Sequence, residues 1–150
     1  MIVQYRWLDS LDDAHIDLRF RVLRIGRPKK TALYPGIDDD PRTKFIGAFL
    51  GAKMVGCATI QYDPKADARL RIRGMAVDSE YRNRGIGSKI VRMIQNYAEE
   101  METGLWCNAR IKAVTMYQRA GFNITSDLFE IESVGPHFEV RWNPNNRVTE

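Results

Sequence analysis

At 150 residues, 44% apolar and 28% charged, the chain is long enough to bury one core without disulfides or structural metals. Its 23 Lys and Arg against 19 Asp and Glu leave a net charge of +4 with the cations scattered, which fits a solvated surface with one anion pocket better than a nucleic-acid face. No stretch approaches the roughly 18 uninterrupted apolar residues of a membrane helix, and Met1 to Trp7 lacks the pattern of a secretory signal, so a cytoplasmic protein without membrane or nucleic-acid partners is expected.

Ile2 to Trp7 alternates and reads as a first strand. Asp9-Ser10 offers a helix cap, Asp12-Asp13 suit the positive end of the dipole, and Ala14, Leu18, Val22 and Ile25 follow at helical spacing. On this pattern His15 belongs to the helix surface. Gly26 to Pro41, with three prolines and two glycines, is an irregular connection, and Asp38-Asp39-Asp40 reads as a solvated turn.

Lys44 to Leu50 and Met54 to Tyr62, separated by Gly51-Ala52-Lys53, read as a hairpin. A turn over Asp63 to Ala68 precedes a strand over Arg69 to Val77, which enters a polar loop from Asp78 to Arg84. The next segment is an amphipathic helix, with Ile86, Ile90, Ile94, Ala98 and Met101 on one face and Gly104 as its stop. Leu105 to Asn108 reads as a short strand, Ile111 to Ala120 as a helix stopped by Gly121, and Phe122 to Ser126 as a strand. A last strand runs from near Pro136 to Trp142. The order predicts one α/β domain over residues 1–150, with a mixed, largely antiparallel sheet flanked by helices.

Cys57 and Cys107 each lie in an apolar stretch and read as small buried hydrophobes, and no ligand spacing suggests a metal. Arg82-Asn83-Arg84-Gly85-Ile86-Gly87-Ser88 is more informative. Two glycines flanked by arginines stand where a loop becomes a helix. Open amides at a helix start, the helix dipole and two guanidiniums make a site for phosphate oxygens. Neither a Walker loop nor the dinucleotide fingerprint matches: Ile90 stands where the latter needs a third glycine.

Arg82-x-x-Gly85-x-Gly87, after a strand and before a long helix, resembles the acetyl-CoA signature of the GNAT superfamily of N-acetyltransferases. Ala113-x-x-x-Tyr117-x-x-x-Gly121-Phe122 resembles that family's second motif. Asn108-Ala109-Arg110, Ala113, Met116-Tyr117 and Gly135-Pro136-His137 resemble a subgroup of mostly uncharacterised bacterial members. The resemblance implies a GNAT-like fold with acetyl-CoA between the fourth and fifth strands. It also implies pyrophosphate on Arg82 to Ser88 and backbone contacts from Met75, Ala76 and Val77 to the pantetheine arm. The asparagine common seven residues before the tyrosine is replaced by Arg110, with Asn108 two residues earlier, so either residue is a candidate for that contact.

The implied reaction is direct attack by an amine of a small molecule or protein on the acetyl-CoA thioester. Tyr117 is the candidate proton donor to the CoA thiolate, and backbone amides near Met75 and Ala76, after Gly74, are candidates for the oxyanion. For the general base His137 is a candidate, with Glu130 and Glu132 behind it; His137 as a structural residue of its Gly-Pro turn stands beside that reading. Arg71 and Arg73 either face solvent or bind an acceptor carboxylate. A non-catalytic acyl-CoA-binding module is the rival function, and a homodimer is an open expectation.

Overall fold

The structure is a computed structural model and describes residues 2–146. Among the described residues, eight strands and three α-helices follow in the order β1 (Gln4–Leu8), α1 (Asp13–Leu23), β2 (Lys44–Leu50), β3 (Lys53–Lys65), β4 (Ala68–Val77), α2 (Ile86–Glu100), β5 (Leu105–Arg110), α3 (Ile111–Arg119), β6 (Asn123–Ile124), β7 (Phe129–Ile131) and β8 (Gly135–Trp142). This is the expected α/β fold, with a mixed and mostly antiparallel sheet. Two compact units can be distinguished: Met1–Tyr62 with Ile72–Ile90, and Asp63–Arg71 with Val91–Glu150. The chain passes from one to the other inside β4 and α2 and at the end of β3.

In the first unit β1, β2, β3 and β4 are hydrogen-bonded neighbours in that order. The β2–β3 hairpin turns through Gly51 at φ +61°, and β3 continues to Lys65, past the expected end at Tyr62. α1 buries a cluster of Leu18, Phe49, Met54, Cys57 and Ala76, with Leu8, Val22 and Leu23 at its margin. Each fully buried aliphatic side chain contributes about 1.5–3 kcal/mol. The cap of α1 is Asp12, not Asp9-Ser10: its carboxylate accepts from the His15 amide at 2.9 Å.

The expected stripe of α1 holds at Leu18 and Val22, which pack in this cluster, and fails at its ends. Ile25 lies beyond the helix and is 76% exposed, whereas His15 and Arg19, expected on neither the stripe nor the core, have no exposed surface. Arg19 is held on the buried face by its ion pair with Asp38. Asp38 is correspondingly not a solvated turn residue. It accepts from both terminal nitrogens of Arg19, at 2.8 Å each.

In the second unit the start of β4 pairs in parallel with β5 through Leu70↔Leu105 and Arg71↔Trp106. β5 pairs antiparallel with β8, which also carries β6 and β7. β7 was not expected: three residues between turn-forming neighbours give too little periodicity to identify a strand. Phe122 packs between the rings of Tyr117 and Trp142, with centroids 5.1 and 6.2 Å away.

α2 stops at Glu100, four residues before Gly104. The left-handed residue at its end is Glu102, at φ +54°, and the Thr103 amide returns to the Ala98 carbonyl at 3.0 Å. Met101, outside the helix, is therefore exposed. Gly104 has another role: a Cβ there would lie 2.6 Å from the Trp142 carbonyl oxygen. Among the described residues no helix is long and apolar enough to cross a membrane.

Candidate active site

In the first unit β4 delivers Met75, Ala76 and Val77 to a short turn capped by Asp78. The Asp78 carboxylate accepts from the Glu80 amide and from Arg21 at 3.0 Å each, and its own amide binds the Val55 carbonyl at 2.9 Å. Burial opposes the Asp78 charge, yet the Glu80 amide and Arg21 hold its pKa below the usual carboxylate value. The loop that follows is thereby anchored at its base.

Arg82, Asn83, Arg84 and Gly85 are all exposed, and the backbone is left-handed at Asn83 (φ +63°) and Gly85 (φ +79°). These two reversals bring the chain into α2, whose first turn closes through the Lys89 amide and the Gly85 carbonyl at 3.0 Å. The amides of Ile86, Gly87 and Ser88 precede any intrahelical acceptor and face the dipole's positive end. Ile86 is buried and seats the helix start on β3, where a Cβ on Gly56 would lie 2.8 Å from its Cγ2. Arg84 and Lys53 lie over the Tyr81 ring, at 5.3 and 5.1 Å, and Lys89 lies over Tyr5 at 5.4 Å. The open amides and the helix dipole at this start have the chemistry of a phosphate-binding segment.

Gly74 precedes this segment at φ +57°, so the regular extended backbone of β4 breaks where the oxyanion-binding amides were expected. A Cβ there would stand 3.0 Å from the Tyr34 hydroxyl oxygen and 3.3 Å from Arg19 Nε. Cys57 Sγ donates to the Gly74 carbonyl at 3.7 Å. Burial pushes the Cys57 thiol up to about 12, which keeps it neutral and inert, as expected of a core cysteine.

In the second unit the candidate residues divide between two faces of the sheet. Asn108 stands opposite Glu139 and Arg110 opposite His137 in the β5–β8 ladder, so these four share a face. Cys107 points to the other face, where its thiol and the buried Tyr117 phenol are coupled neighbours. Tyr117 is 3% exposed, and burial first, then Cys107, holds its phenol well above the ordinary value of 10. Burial likewise raises the Cys107 thiol to about 12. Cys107 as partner of Tyr117 was not legible in the sequence, where it is one more apolar residue of a strand.

His137 is buried and stacks on Phe129, with ring centroids 6.0 Å apart. Its Nδ1 lies 2.7 Å from the Gly135 carbonyl oxygen, a contact that requires an Nδ1–H donor, so the neutral ring carries its lone pair on Nε2. Glu130 and Glu132 are exposed. Glu139 is tied to Lys65 and Arg141 at 2.9 and 2.7 Å; burial opposes its charge, but these two cations hold its pKa below the usual value. Arg110 is the N-cap residue before α3 and makes no side-chain capping hydrogen bond. Arg71 is held by Asp63 at 3.3 Å and over Trp106 at 4.5 Å, so it is not a simple solvent-facing arginine.

The sequence profile of the family described as "Acetyltransferase (GNAT) family" matches residues 7–122. An uncharacterized N-acetyltransferase of Bacillus subtilis (strain 168), YitI, is 26% identical over 136 residues, covering 85% of this chain and 88% of its own. Among solved structures, a putative N-acetyltransferase from Lactobacillus plantarum superposes with a TM-score of 0.78 at 16% identity, covering 94% of this chain and 97% of its own. An acyl-CoA N-acyltransferase from Pseudomonas aeruginosa gives a TM-score of 0.76 at 18% identity, covering 93% and 99%. The fold is GNAT-like, and with more than half of its length matched by the family profile the chain belongs to the acetyltransferase (GNAT) family, as an acyl-CoA-dependent N-acyltransferase.

Proposed function

We propose that the protein transfers the acetyl group of acetyl-CoA to an amine by direct attack, without a metal, and that residues 1–150 act as one catalytic domain. The observation that carries this reading is the exposed, doubly left-handed loop, carrying Arg82 and Arg84, that opens into α2. Such a loop suits the pyrophosphate of a CoA thioester, held by the amides of Gly85, Ile86, Gly87 and Ser88 with Asn83 shaping the turn.

The amides of Met75, Ala76 and Val77 bind the pantetheine arm in this scheme, and those after Gly74 receive the carbonyl oxygen as negative charge develops. An amine attacks the thioester carbon as its neutral form, and the tetrahedral intermediate collapses with expulsion of the thiolate. Tyr117 gives that thiolate its proton: a phenol held above its ordinary value is fully protonated at neutral pH and ready to donate. His137 takes the ammonium proton through Nε2, the nitrogen that the Gly135 contact leaves as acceptor. Asn108 and Arg110 contribute cofactor contacts. The Asn-Ala-Arg and Gly-Pro-His segments align the protein with the bacterial subgroup they resemble.

The test is calorimetric titration with CoA and acetyl-CoA, followed by acetylation of an amine panel monitored through CoA release. Binding with turnover supports the reading. Binding without turnover of any amine reduces it to an acyl-CoA-binding module, and no binding removes it.

A further inference from the structure

The entry to the loop before α2 is tied to a residue of another helix. Asp78 uses every polar atom it has. Its amide donates to the Val55 carbonyl of β3 at 2.9 Å, and its carbonyl accepts from the Tyr81 amide at 2.8 Å. Its two carboxylate oxygens accept from the Glu80 amide and from Arg21 Nη1, each at 3.0 Å. Three of these partners are backbone. The fourth, Arg21, stands on α1, 57 residues earlier in the chain. Its guanidinium is in turn aimed by Asp17, four residues back on the same helix, which accepts from Nε at 2.8 Å.

The place of Asp78 in the chain gives this contact its weight. Asp78 follows the last residue of β4, and the loop after it ends at Ile86, the first residue of α2, which packs against Gly56 of β3. Val55 and Gly56 therefore hold the two ends of one loop, and Asp78 is the end that carries a charge. Its side chain is 5% exposed, against 42% for Arg21. A carboxylate so placed needs donors to offset its lost hydration, and the Glu80 amide supplies only one. Beyond Asp78 the contacts lengthen: Lys53 Nζ lies 4.0 Å from the Glu80 carboxylate and 5.1 Å from the centroid of the Tyr81 ring.

We propose that Arg21 is a positioning residue for phosphate binding: through Asp78 it holds the entry of the loop over 79–85 in the conformation that presents the amides at the start of α2. This rests on the acetyl-transfer reading above and adds to its cofactor site a residue from outside the loop. A loop fixed before its ligand arrives loses less freedom on binding, and the difference appears as affinity. Arg21 acts here through Asp78 and not by its own charge on the anion, so the two side chains count as one unit in binding.

The experiment is a double-mutant cycle on CoA affinity. Wild type, Arg21→Met, Asp78→Asn and the double variant are titrated calorimetrically with CoA, and urea unfolding of each is followed in parallel. Methionine keeps an apolar stem at a part-exposed position, and asparagine keeps an acceptor for the Glu80 amide, so the variants should fold. Each single variant should bind CoA about 3- to 30-fold more weakly, the range in which a side chain acting through another modulates binding. The double variant should bind about as weakly as the weaker single one. CoA affinity within about threefold of wild type in folded Arg21→Met, with only stability lowered, reduces the ion pair to a structural contact and overturns the proposal; this arm decides even if Asp78→Asn does not fold. Losses that multiply in the double variant overturn it as well, because Arg21 then acts on the anion independently of Asp78. No binding of CoA by the wild type would instead overturn the transfer reading.

Discussion

Tyr117 on α3 and Cys107 on β5 are coupled neighbours in the buried interior, and both are almost fully shielded from water. Burial disfavours the phenolate and leaves the proton on oxygen. Tyr117→Phe keeps the ring against Phe122 and removes only the donor. CoA affinity should then stay within a few-fold of wild type while kcat falls about 10²- to 10⁴-fold. With the phenol's pKa raised above 10, ionisation of Tyr117 should produce no basic limb in the rate profile up to about pH 10. Turnover by the variant within a few-fold of wild type, with chemistry limiting, would make Tyr117 a packing residue.

Gly87→Val tests the anion site. The substitution sits in the first turn of α2 and adds a branched side chain where the helix start is open. Thermal unfolding should shift little, and CoA should bind at least tenfold more weakly. Unaltered CoA affinity in a folded variant excludes this helix start as the pyrophosphate site.

His15 makes stability depend on pH. Burial, followed by the nearby Arg19 charge, lowers its pKa to about 4 from an ordinary value of 6.5, so the folded state holds the neutral ring. The unfolded chain therefore takes up the proton first. The His15 contribution is complete above about pH 6.5 and is lost as pH falls toward 4, up to about 3 kcal/mol in total. Denaturant titrations across that window should show the decline in wild type, and His15→Leu should flatten it.

Asp38→Ala leaves the Arg19 guanidinium buried without its counter-ion. Removing one member of such a pair costs about 3–5 kcal/mol. Urea unfolding should register that loss. A variant with wild-type stability would show that Arg19 finds another partner or reaches water.

Gly104→Ala should destabilise by about 1–3 kcal/mol, since the new methyl would press on the Trp142 carbonyl at 2.6 Å and that oxygen belongs to rigid backbone. Activity at low temperature should be unaffected. If the unfolding midpoint does not move, β8 yields more easily than the packing implies.

The elements with strong local signals were legible without any structure. β2 begins and ends where its apolar run does, α2 begins at Ile86 between the two glycines, and the proposed anion site is local because loop, glycines and helix start are contiguous in the chain. Residues 82–88 specify that geometry among themselves: left-handed turns and open amides depend on neighbours a few positions away. The burial of His15 and Arg19 on α1, beside the legible Leu18 and Val22, could not be read this way. Arg19 reaches Asp38, 19 residues on, and Thr59, 40 residues on. The same holds for Cys107 with Tyr117, for Gly104 with Trp142 and for the phenol of Tyr34 at Gly74. Each of these is a contact between residues far apart in the chain, and its energy comes from desolvation and close packing, which exist only once the chain has folded and which no periodicity in the sequence records.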